Sequence, residues 1–270
     1  MAHSLTGAEH YLKKFSDQSI LCNKYALTKL GVERGHCFLK INEYIILCTP
    51  FQFGFKRSLF LASLSKQELS FFQKYINNTV GLSITFTPEG QEPLKFFIRC
   101  NLATVGQTKS KENVGLLVVD FKVTPSDFIN LLGNFLEKQD RIKAQYEDYG
   151  KTSIRMTPVT AKMMGYNQYA TIMDPHGAAR RIQIYSISTK TMEYLEVAGS
   201  SPRSPGSSGV YQLFFKKYRI SVTGRIISTE TLPQGIIKTI TSLKFTPELV
   251  EIINDYWYNF QSNPVLREAQ

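Results

Sequence analysis

The chain reads as mainly β with α: two small β-barrels, each closed by a C-terminal helix. Three observations predict this. Short runs rich in β-branched and aromatic residues recur in both halves, separated by Gly-, Pro- and Asn-containing turns. Each half ends on one plan, a strand, a Thr-Pro pair and an amphipathic helix: VVDFKVTPSDFINLLGNFLEK over 118–138 and ITSLKFTPELVEIINDYWYNF over 240–260. The length, 270 residues, is a soft prior for two domains of about 100–150 residues. The expected division is an N-terminal helical segment over 1–35, a β-domain over 36–138 and a second β-domain over 139–262.

Taken in order, residues 1–35 carry helical signals. Ile20, Leu21, Lys24, Leu27 and Leu30 give a mixed apolar stripe, and Gly31 suits the residue that ends it. From Cys37 to Leu64 the text is strand-like, with YIILC over 44–48 and SLFLASL over 58–64. Ser65 and Glu68 then form a capping box, and Leu69, Phe72 and Ile76 continue at helical spacing towards a stop near Asn77–Asn78. GLSITF, LKFFIRC and GLLVVDF follow as strands. Thr124 is expected to cap the next helix, with Pro125 at its first position and Asp127 complementing its dipole.

After 138 a charged linker leads to strands at 153–158, 168–173, 180–188 and 192–197. Asp174-Pro175-His176-Gly177 reads as a turn, and GSSPRSPGSSG over 199–209 as a flexible loop. Strands over 210–215, 218–228 and 236–245 precede the Thr246-Pro247 helix.

Composition bounds the function. Hydrophobic residues make up 43% and charged residues 20%, so each half can bury a core. The net charge of +10 favours anionic partners. Cys22, Cys37, Cys48 and Cys100 form no C-x-x-C pair and read as reduced thiols; His3, His10, His36 and His176 are too scattered for a metal cluster. No apolar run approaches the ~18 residues of a membrane span, and the N-terminus lacks a signal-peptide layout. A soluble, cytoplasmic protein is expected.

The order of elements in 139–260, a charged linker, a strand, a second strand leading into a Ser-x-Ser turn and then a barrel closed by strand and helix, resembles the PilZ domain. The first half resembles the PilZ-like β-domain that precedes it in two-domain bacterial receptors. The resemblance implies a non-enzymatic regulatory module whose family ligand is cyclic di-GMP, with no other cofactor, acting on motility or signalling proteins. Two family motifs bind that ligand. R-x-x-x-R corresponds here to Arg141-Ile-Lys-Ala-Gln145, and D/N-x-S-x-x-G to Ser186-Ile-Ser188-Thr-Lys-Thr191. Arg141, Gln145, Ser186 and Ser188 are therefore the implied ligand contacts, with Arg180 and Arg181 adding charge.

The motifs are degenerate. An arginine fork donates two hydrogen bonds to the N7/O6 edge of guanine, which an amide cannot reproduce. Losing one fork removes ~1–3 kcal/mol, one to two decades of affinity. The expectation is weak or absent cyclic di-GMP binding, with contacts to an unidentified protein partner as the retained function. No phosphate loop, HExxH or G-x-S-x-G sequence points to an enzyme. The alternative is a nucleic-acid-binding small barrel, supported by net charge and 12% aromatic residues. Against it, Lys and Arg are spread over both halves and the aromatics fall in core-like stripes, so nucleic acid is the less favoured partner.

Overall fold

A computed structural model describes residues 7–108, 113–173, 179–196, 203–215 and 218–262. The chain divides into two compact units, Met1–Lys138 and Gln139–Gln270. Both are antiparallel β with helices, as the strand and turn pattern predicts.

The first unit contains α1 (Gly7–Phe15), β1 (Ser19–Leu21), α2 (Lys24–Leu30), β2 (Val32–Ile41), β3 (Tyr44–Leu47), β4 (Thr49–Gly54) and β5 (Arg57–Ser63). Then come α3 (Lys66–Gln73), β6 (Thr79–Phe86), β7 (Leu94–Gln107), β8 (Val114–Phe121) and the start of α4 (Ser126–Tyr149). Its strands form one eight-stranded sheet in the order β1-β4-β5-β8-β7-β6-β2-β3. Alternation places Phe53, Phe60, Phe86 and Phe96 on one buried face; Phe53, Phe86 and Phe96 pack around Phe128 of α4, and Phe60 packs on Phe53. The Ser65–Glu68 capping box forms as its spacing requires, and Gly31 ends α2 at φ 69.

The second unit contains β9 (Ile154–Arg155), α5 (Pro158–Met164), β10 (Tyr166–Met173), β11 (Ala179–Ile187), β12 (Thr191–Glu196) and β13 (Ser208–Phe215). It ends with β14 (Tyr218–Thr231), β15 (Ile237–Leu243) and α6 (Pro247–Ser262). Strand β10 pairs with both β13 and β11, which closes the ring β10-β13-β14-β15-β12-β11 into a six-stranded barrel. The short β9 adds to the outside of that ring along β11. Leu249, Ile253 and Tyr256 of α6 join the barrel core. The turn at Asp174 and the 199–202 part of the predicted loop lie outside the described residues; 203–207 form a turn into β13.

Four local expectations are corrected. The 1–35 segment is not wholly helical, because Ile20 and Leu21 belong to β1, which pairs with β4. The charged linker after 138 is helix: α4 continues because Ile142, Tyr146 and Tyr149 prolong its buried stripe. The strand expected over 153–158 shrinks to two residues, since Thr157 caps α5 and Pro158 opens it. Thr124 lies two residues before α4, which begins at Ser126, and its hydroxyl donates to the Phe55 carbonyl at 2.7 Å.

Candidate functional site

The second unit carries all six residues that the sequence singles out. Gln145 lies on α4, and its amide donates to Asn254 Oδ1 of α6 at 2.9 Å. Tyr149 donates to the same oxygen at 3.1 Å and stacks on Trp257. The second motif position is therefore committed to joining α4 and α6. Arg141, one turn earlier, is exposed.

Ser188 sits in the tight turn between β11 and β12. Its Oγ accepts from the backbone N–H of Lys190 at 3.1 Å and of Thr191 at 2.9 Å. Thr189 donates to the Tyr146 carbonyl at 2.7 Å, and Lys190 pairs with Glu147. The turn thus grips the end of α4. Thr191, at the motif glycine, lies in β12 and is not among the described non-glycine residues of positive φ. A β-branched residue fits there without left-handed strain. Ser186 is buried beside a register shift in β11.

Arg180 and Arg181 lie at the opposite end of β11, six residues from Ser186, about 20 Å along an extended strand. Arg181 faces out. Arg180 faces in, 3.4 Å from Glu196, which is 3% exposed. Burial of that carboxylate demands a partner, and Arg180 supplies it. The two arginines and the two serines do not form one local site.

The structure does gather a different set on the outer barrel wall. Alternation along β11 turns Tyr185 outward with Arg181 and Gln183, and Arg155 of β9 lies opposite Ser186. The Arg155 guanidinium sits 5.3 Å from the Tyr185 ring centroid, and Lys238 Nζ sits 5.2 Å from it. Both are within the range where a cation is attracted to a ring face. Lys238 also pairs with Glu193 of β12 at 3.1 Å. Four adjacent strands, β9, β11, β12 and β15, thus present one aromatic ring, two cations and one carboxylate. The sequence did carry a signal for part of this: Lys151-Thr-Ser-Ile-Arg155 has basic residues four apart directly before the barrel. It was masked by Arg141–Gln145, which has a true arginine at its first position.

The fold defines a class, a two-domain antiparallel β protein whose second domain is a closed barrel. Residues 7–139, which span the first unit, match the PilZN3 domain, and this match supports a PilZ-family protein. No curated protein matches the sequence. Similar solved structures include the PlzA protein of Borreliella burgdorferi in complex with c-di-GMP, at 13% identity, covering 92% of this chain and 97% of that one, with a TM-score of 0.42. YcgR of Escherichia coli in complex with c-di-GMP is 10% identical over 91% of this chain and 88% of that one, with a TM-score of 0.31. The Bacillus subtilis inhibitor of motility is 12% identical over 86% and 99%, with a TM-score of 0.30. Likenesses at this level carry no argument about ligand or site.

Proposed function

We propose that the chain is a non-enzymatic PilZ-type regulatory protein of the cytoplasm that binds cyclic di-GMP weakly and acts through a protein partner in motility or signalling. The observation that carries this reading is the Arg155–Tyr185–Glu193–Lys238 cluster on the barrel of a PilZ-family chain. Tyr185 offers a stacking face for guanine. Glu193 accepts from the N–H donors of the guanine edge, as a carboxylate does. Arg155 and Lys238 neutralise phosphate, Arg155 with a planar fork. Gln145 and Ser188 support the site indirectly by fixing α4 and the β11–β12 turn, and Arg180 keeps the barrel end in place through Glu196. Arg141 and Arg181 add positive field from exposed positions.

Weak binding follows from the partners already present. Lys238 is shared with Glu193, and only one true arginine fork faces the ring. No helix among the described residues is long and apolar enough to cross a membrane. The nucleic-acid alternative loses its main support, because most aromatics of the first unit pack into its core rather than lining a groove. Calorimetry with cyclic di-GMP tests the reading. The native chain gives a saturable heat, and Arg155→Ala and Lys238→Ala each weaken it. Absence of heat in the native chain, at concentrations where a micromolar complex forms, contradicts it.

A further inference from the structure

The first unit carries a cleft that the ligand reading does not use. It has a volume of about 580 Å³ and lies between the β4–β5 turn, the end of β8, α1 and the start of α4. Its floor is apolar: Phe55 and Ile129 are buried, and Leu12 is half-buried. Its rim holds Lys56, Arg57 and Lys122 against one carboxylate, Asp120. That carboxylate is already taken, since Arg57 donates to both its oxygens, at 2.5 and 2.9 Å. Lys122 donates to Thr79 at 2.6 Å, a neutral partner that leaves its charge uncompensated. The N-terminus of α4, which begins at Ser126 beside the rim, adds positive potential. The walls are held in place: Phe121 N–H donates to the Lys56 carbonyl at 2.8 Å and Thr124 to the Phe55 carbonyl at 2.7 Å. Val123, next to the rim, is 78% exposed, an apolar group offered to solvent.

We propose that this cleft docks an acidic segment of a partner protein that inserts one bulky apolar side chain. The apolar floor takes the side chain, and Lys56 and Lys122 take flanking carboxylates. This is the general form of an interface, an apolar anchor inside a charged rim. Charge complementarity selects the partner's sign and speeds encounter, and added salt weakens it. The proposal rests on the reading that the protein works through a partner, and it names that partner's chemistry. It is separable from cyclic di-GMP binding, because the two sites lie on different units and are read by different probes.

Fluorescence anisotropy on the full chain tests it with three labelled nonapeptides. One alternates glutamate and leucine, one replaces glutamate by glutamine, and one replaces leucine by serine. The alternating peptide saturates, and each control binds about tenfold or more weakly. Lys56→Glu, at an exposed position where the backbone bond to Phe121 is kept, weakens the alternating peptide to a similar degree. Lys56→Glu with Lys122→Glu abolishes binding, while Lys244→Glu on the second unit leaves it unchanged. No saturation, equal binding of the glutamine peptide, or binding that survives Lys56→Glu overturns the proposal. Displacement of the peptide by millimolar inorganic phosphate at constant ionic strength assigns the cleft to a small anion and overturns it as well.

Discussion

Gln145 stands at a position that the family motif gives to arginine, yet its amide bonds Asn254 at 2.9 Å. Restoring arginine there removes a contact between α4 and α6 without placing a fork on the barrel wall. Gln145→Arg is therefore expected to lower stability by about 0.5–1.5 kcal/mol, seen as a lower urea midpoint, and to leave cyclic di-GMP affinity unimproved in calorimetry. A gain in affinity would return the site to α4. Ser188 makes a similar case. Its Oγ satisfies two turn amides, so Ser188→Ala should cost about 1 kcal/mol. Tyr185 differs from both, since its ring is 37% exposed and little structure depends on it. Tyr185→Ala should leave the melting temperature nearly unchanged and remove about 1–3 kcal/mol of ligand binding, the usual value of a base on an aromatic face.

At the scale of elements, α4 links the two units by sequence and anchors separately in each. In the first unit its Gly133 meets Tyr11 of α1: a Cβ there would lie 2.1 Å from the ring. Tyr11 also donates to Asn134 at 2.6 Å, and Lys14 pairs with Glu137. Gly133→Ala gains about 1 kcal/mol of helix propensity but must displace α1. Net destabilisation with release of α1 is expected, read as faster amide exchange over 7–15; a stabilised variant would contradict this packing. The strands were legible because period-two alternation is strong in them, as in Leu94–Gln107 and Ile237–Leu243. The last turns of α4 were not, because their stripe changes from Leu and Phe to Ile142, Tyr146 and Tyr149 within a highly charged sequence. The α5 helix was hidden by its shortness, although Thr157-Pro158 repeats the signal read correctly at Thr246-Pro247. The barrel-wall cluster was least legible of all. Alternation places Tyr185 on the outer face, but its companions Arg155 and Lys238 come from other strands distant in sequence, which spacing does not reveal.

For the whole molecule, four free thiols, three of them buried, make the fold sensitive to alkali. Burial pushes Cys48 and Cys100 from 9.0 up to about 12, and Cys37 higher still. Burial likewise raises Tyr166 from 10.0 to about 12. Above pH ~9 the unfolded chain loses these protons while the folded chain keeps them. Stability is thus fully present below that pH and declines as pH rises towards 12. Urea midpoints should fall steadily over this window, and Cys100→Ala should make the slope shallower. A slope identical in the variant would show that this thiol is not protected.

The central proposal, that the barrel of the second unit takes cyclic di-GMP on the wall around Tyr185 and not at the Arg141–Gln145 and Ser186–Thr191 segments, is tested most directly by an NMR titration of the labelled chain with cyclic di-GMP. The account predicts fast-exchange shifts concentrated at Arg155, Tyr185, Glu193 and Lys238, with the Tyr185 ring protons moving most. Shifts confined to α4 around Arg141 and Gln145 with the barrel wall unchanged, or no shifts at millimolar ligand, would contradict it.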